Sequence, residues 1–251
     1  MKKTPLLAIL AGAVAFLLVS SYFGWVLVRP GRYRLMPWGH LAGVLAAAGL
    51  ALFEARRLTR VPELAMLRRV AAWLSAGIGV ATAVILWGFV FVGSRLPDEP
   101  VTAPATVPAL VLLDDVGEPV NLGRRAEDAP LVVAYYRGGF DAWARAALSD
   151  LERARPAVEA AGARVIVIGA ESIQDLRAVR AKLHLDPRLT LLSDADLTAA
   201  RAFGVVHDDL RALRPAYFVV ARGGAITWRY VPSSARDLPT ADALVAALRR
   251  P

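Results

Sequence analysis

The sequence contains no cysteine. That excludes a disulfide framework, thiol catalysis, a cysteine-ligated metal and a lipid anchor attached through cysteine. Histidine is scarce as well: His40, His184 and His207 are the only three in 251 residues, too few for a histidine-rich metal centre. Acidic residues are nearly missing from the first 100 positions, which hold 4 against 11 Lys and Arg. The rest of the chain holds 18 against 19, so the net charge of +8 belongs almost wholly to the N-terminal part. There the charge lies between long uncharged runs. This is the distribution of topology-setting membrane loops and not of a nucleic-acid footprint, which needs a basic face on a folded domain. No nucleic-acid partner, cofactor or metal is expected.

What the N-terminal part has in abundance is apolar sequence. Thr4–Val28, Leu35–Phe53 and Val70–Ser94 are uncharged over 25, 19 and 25 residues, and about 20 apolar residues cross a bilayer core as helix. These runs predict a three-helix transmembrane region over residues 1–95, with spans at about 5–28, 36–54 and 70–93. The second is the weakest because Pro37 and His40 lie near its start. Its Gly39, Gly43 and Ala47 recur every fourth residue, the small face on which membrane helices approach closely. Trp25, Trp38 and Trp73 lie near span ends, where aromatic rings favour the interface. One flank would carry Lys2, Lys3, Arg56, Arg57, Arg60, Arg68 and Arg69, and the other only Arg29, Arg32, Arg34 and Arg95. The richer side stays in the cytoplasm, so the chain after Ser94 is expected outside. Met1–Ser21 also has the shape of a signal peptide, but the run continues to Val28 and no good Ala-x-Ala site ends it.

Residues 96–108 hold four prolines and no helical period, and they read as an extended tether. From 109 to 251 strand and helix patterns alternate. Ala109–Leu113 and Pro119–Leu122 flank a turn and predict a hairpin. Leu131–Tyr136 is a short apolar run and reads as a buried strand, Arg164–Gly169 reads as another, and Leu189–Leu192, Ala216–Ala221 and Ile226–Val231 are further strands. Helices are predicted over Asp141–Ala161, with Trp143, Ala147, Leu151 and Ala154 on one face, and over Ser172–Leu183, Asp194–Phe203 and Thr240–Arg249. The order implies an α/β domain with a mixed sheet covered by helices.

Leu131–Gly138 (Leu-Val-Val-Ala-Tyr-Tyr-Arg-Gly), Leu191-Leu192-Ser193-Asp194, Ala202-Phe203-Gly204-Val205 and Arg214-Pro215-Ala216-Tyr217-Phe218 carry a family resemblance. In order and spacing they resemble the AhpC/TSA (peroxiredoxin-like) redoxins. Trp228–Val231 and Leu238–Asp242 complete the likeness, which covers about residues 104–250. It implies a thioredoxin-like fold, with Pro215 where that fold usually keeps a cis-proline beside the active site. The departure is in the chemistry. Where the family places its two active-site cysteines, this chain has Asp141 and Ala144. A carboxylate can share the helix-dipole field of a thiolate, but it forms neither a sulfenic acid nor a mixed disulfide. The family's activity is therefore not carried over.

Asp141 reads first as a helix N-cap. The sharper alternative is a carboxylate that binds a cationic ligand or acts as a base. Arg137 and Arg214 flank the would-be pocket and read as exposed arginines, with pairing to Asp141 or anion binding as the alternative. The binding candidates are thus Arg137, Asp141, Arg214 and Pro215. Asp114-Asp115 reads as turn chemistry and Asp194 with Asp196 as a helix start. His207-Asp208-Asp209 has metal-ligating types, but adjacent side chains rarely face one point. His40 reads as interfacial, with a haem ligand as the alternative. Gly138-Gly139 and Gly223-Gly224 read as turns.

Together these observations lead to the expectation of a multi-pass protein of the cell (inner) membrane. Its outer, extracytoplasmic redoxin-like domain works by binding, with the bilayer and an envelope protein as partners. The alternatives are redox-associated activity through a partner's thiol, non-redox chemistry at Asp141, and an ancillary role in a membrane complex.

Overall fold

The computed structural model describes residues 5–28, 36–61, 65–95, 101–139, 142–207, 212–234 and 237–250. The chain divides into a helical N-terminal unit and a sheet-containing C-terminal unit.

The N-terminal unit has three helices, α1 (Leu6–Val28), α2 (Trp38–Thr59) and α3 (Met66–Trp87), the last prolonged by a π turn over Gly88–Val92. All three are long and apolar enough to cross a membrane, over Leu6–Trp25, Trp38–Thr59 and Met66–Val92. Pro37 does not interrupt the second helix. It stands at its N-cap, where a missing N–H costs nothing. The packing is inverted relative to a water-soluble bundle. Ala8, Ala15, Ala48, Ala51, Ala55 and Ala72 are buried, while Leu17, Phe53, Leu74 and Val84 face outward. A Cβ on Gly12 would sit 2.6 Å from the Ser75 carbonyl oxygen, so α1 and α3 touch backbone to backbone there. The expected small face of α2 is partly confirmed. Gly43 meets Leu18 and Ala47 is buried, but nothing lies within 4 Å of the Gly39 Cβ position. His40 has the Tyr22 ring at 5.5 Å and the Trp25 ring at 6.3 Å.

In the C-terminal unit the elements are β1 (Val111–Asp114), β2 (Pro119–Asn121), α4 (Leu122–Asp128), β3 (Leu131–Tyr135), α5 (Ala142–Ala160), β4 (Arg164–Gly169), α6 (Ile173–Leu183), β5 (Thr190–Ser193), α7 (Thr198–Ala202), β6 (Val206–His207), β7 (Ala212–Leu213), β8 (Ala216–Val220), β9 (Ile226–Tyr230) and α8 (Ala241–Leu248). Seven strands form one mixed sheet in the order β2-β1-β5-β4-β3-β8-β9, and β6 with β7 forms a small ribbon. β3, β4 and β5 run parallel, and β8 pairs antiparallel with β3. Alternate residues of the central strands enter two cores. Val132, Ala134 and Tyr136 pack under α5, α6 and α8, with Leu148, Leu176 and Leu244. Leu131, Val133 and Tyr135 pack against Leu122, Ala199 and Phe203 on the other face. Each of the fully buried Leu, Val and Phe side chains among them contributes about 1.5–3 kcal/mol.

Three expectations need correction. The tether does not run free to residue 108. Val107 donates to Gly224 at 2.8 Å, Ile226 donates to Ala105 at 2.9 Å, and Val101 is buried in the core. The apolar residues between the prolines fill the rim of the sheet, which ties the segment down. The helix expected over Asp194–Phe203 is confined to α7, because Asp194 acts from a distance. Its carboxylate accepts from Ala199 and Ala200 at 2.9 and 2.7 Å, after a turn through Leu197 at φ 60°. Finally, α4 and the β6–β7 ribbon were not expected. α4 starts from an Asn121 side chain that accepts from the Arg124 N–H.

Candidate functional site

The parallel strands β3 and β4 end at the same level, and the loops beyond them build the site. Tyr135 pairs with Ala216 across the β3–β8 ladder, so Tyr136 and Pro215 follow one another beyond that pair on the two strands. The Arg214–Pro215 bond is trans, in contrast to the cis bond usual at this place. Gly138 takes φ 126°, a region glycine enters without cost. Gly139 has no room for any side chain, since a Cβ would fall 2.1 Å from Val179 Cγ2 on α6.

A carboxylate straps this loop down. Glu171, two residues beyond β4, accepts the Gly139 N–H on Oε1. Arg145, in the first turn of α5, donates to the Gly139 carbonyl at 3.1 Å. Both polar groups of Gly139 are therefore held, one from each side. Behind them lie the buried Tyr136, 2 % exposed, and the second Glu171 oxygen, which acts on the Tyr136 phenol. Burial, then the negative charge of Glu171, pushes the Tyr136 phenol far above its ordinary value. Burial, then the charge of Asp194, does the same at Tyr135. Both phenols therefore stay protonated at any physiological pH, and neither is a base.

Of the expected site residues, Arg137 is exposed on the loop, Ala144 is buried in the first turn of α5, and Pro215 is half-buried. Arg214, expected on the surface, is buried at 6 % exposure, and its N–H donates to the Val205 carbonyl at 2.8 Å. Its place between two core strand segments leaves no room at the surface. Asp141 lies outside the described residues, as do Asp208 and Asp209 of the His-Asp-Asp run. The turn role of Asp114 holds, since Oδ1 accepts from Val116 and Glu118 at 3.0 and 2.8 Å. Asp115 does something else. It is buried and takes a guanidinium bond of 2.9 Å from Arg180 on α6. Tyr136, Arg145 and Glu171 were not among the sequence candidates. The one available signal was an acid placed directly after a buried apolar strand.

A sequence profile of the AhpC/TSA family matches residues 103–229. The chain belongs to the AhpC/TSA family. Solved structures agree on the fold. The peroxidoxin BcpB of Mycobacterium tuberculosis is 22 % identical at a TM-score of 0.52, over 60 % of this chain and 97 % of that one. Peroxiredoxin Q of Xanthomonas campestris is 22 % identical at 0.51, over 61 % and 98 %. A peroxiredoxin-like protein of Aquifex aeolicus is 15 % identical at 0.52, over 62 % and 90 %. No curated protein matches the chain. This AhpC/TSA member thus has the thioredoxin-like fold of peroxiredoxins without a single thiol.

Proposed function

We propose that this AhpC/TSA member is anchored in the cell (inner) membrane by its three helices, with the redoxin-like domain on the extracytoplasmic side. There it works by binding a protein of the envelope rather than by thiol chemistry. The observation that carries the reading is a complete redoxin scaffold with Ala144 buried at a former thiol position and no cysteine in the chain. A thiolate is the nucleophile of peroxidatic and disulfide chemistry, and nothing here replaces it. Helices with small residues inside and large apolar ones outside support the anchoring, because lipid gives no hydrophobic drive between helices and favours close backbone packing. The loop after β3, held at Gly139 and presenting the exposed Arg137, supports docking of a partner at the vestigial active-site end.

The test is affinity capture of the intact protein from native membranes, comparing wild type with Asp141→Arg by mass spectrometry. A partner held by the wild type and lost by the variant is the expected result. Identical partner sets would move the interaction away from this end of the domain. Peroxide turnover by the pure, thiol-free protein would overturn the non-catalytic reading altogether.

A further inference from the structure

At the opposite end of the sheet, where β4 and β5 begin, lies a cavity of about 500 Å³ lined by three arginines. Arg125 reaches it from the last turn of α4, Arg164 is the first residue of β4, and Arg188 comes from the loop before β5. The fold forces this convergence. Arg164 pairs in register with Leu131, and Ile166 with Thr190, so α4 and the α6–β5 connection close over the same strand ends.

The charges do not balance within the cavity. Among the described residues Glu159 is the one acid that lines it, and both of its oxygens accept from the buried Arg155 at 2.9 Å. Arg188 is held by Asp186 at 3.0 Å and lies 3.5 Å from the already occupied Glu159. Arg125 and Arg164 have no side-chain hydrogen bond or ion pair among the described residues. Two unopposed guanidinium forks therefore share one cavity with a third that is only partly neutralised. All three arginines are exposed, and the planar fork suits bidentate contact with phosphate oxygens. Two apolar residues line it as well, Ile166 at 2 % exposure and the exposed Pro187. The size falls in the range of small-molecule sites.

We infer that this cavity binds a dianionic phosphomonoester with a small apolar body, the phosphate on Arg125 and Arg164 and the body over Ile166 and Pro187. The site is independent of the loop after β3 and of the binding role proposed for it. A soluble ester and the headgroup of a monoester phospholipid present the same chemistry.

The test is calorimetric titration of the full chain, held in phosphatidylcholine nanodiscs, with phenyl phosphate and with benzoate. Phenyl phosphate is expected to bind saturably and about tenfold or more tightly than the singly charged benzoate. Arg125→Gln and Arg164→Gln should each weaken it about tenfold, while the Lys variants retain part of the affinity. Arg201→Gln, an exposed arginine elsewhere, should bind as wild type, and unchanged melting of the Gln variants shows that they fold. Discs in which phosphatidate replaces part of the phosphatidylcholine separate the sources: weakened phenyl phosphate binding there assigns the lipid, unchanged binding the soluble ester. No saturable binding below about 10 mM, equal binding of benzoate, or wild-type affinity in both Gln variants overturns the proposal.

Discussion

Glu171 is the side chain on which the site's geometry turns, because it ties the loop after β3 to the end of β4. Glu171→Ala leaves the half-buried Gly139 N–H without its acceptor, at a cost of about 1 kcal/mol. The expected result is a lowered thermal midpoint in Glu171→Ala and a smaller change in Glu171→Gln, which keeps an acceptor oxygen. Two aspartates make opposite contributions to the pH profile. A side-chain hydrogen bond from Arg188 holds Asp186 down at about 2 against an ordinary 3.8. Its stabilisation is therefore present above 3.8 and is lost as the pH falls toward about 2. Burial raises Asp194, so the folded state favours its proton, and its contribution improves as the pH falls through its raised value toward 3.8. Melting curves across this range should show a steep acid-side fall in the wild type and a shallower one in Asp186→Asn. An unchanged slope would contradict the assignment to Asp186.

Elements whose signal is local were legible; contacts made over long separations were not. Val165–Gly169 and Ala216–Val220 are unbroken apolar runs, and both form the bulk of central strands. Ser172 and Thr240 cap α6 and α8 through their side-chain oxygens, as their position before an apolar period announces. Gly139 and Glu171 are 32 residues apart and Asp115 and Arg180 are 65 apart, and no window of sequence contains either pair. The burial of Arg214 is likewise a property of assembled strands and not of its neighbours in the chain. On α5, Arg155 is 4 % exposed and joins Glu152, Glu159 and Asp186, whereas Arg153 holds Asp150 with its side chain 65 % exposed. Arg155→Ala should lower the thermal midpoint clearly more than Arg153→Ala, because the first strands a group of carboxylates and the second removes one solvent-exposed guanidinium. In the helical unit, Gly12→Val should loosen α1 from α3 and speed proteolysis in detergent. Gly39→Val, with open space before it, should not.

At the scale of the whole molecule, a chain free of cysteine offers a direct test of the proposed sidedness. Thr59 ends α2 and Ala161 follows α5, and both are exposed. In intact cells a membrane-impermeant maleimide should label Ala161→Cys at once, and Thr59→Cys only after permeabilisation. The reverse pattern would place the redoxin-like domain in the cytoplasm. The segment between Val101 and Pro108 has a consequence of its own. It lies along the start of β9, which is one border of the sheet, while the other border is β2, three residues long and beginning with Pro119. The start of one border is thus covered and the other border is short and opens on proline, two devices that limit strand-by-strand addition of a second chain. A fragment cut at residue 109 would bare the covered border and unpack Val101 and Val107, inviting fibrous self-association; one cut at 101 would carry its own guard.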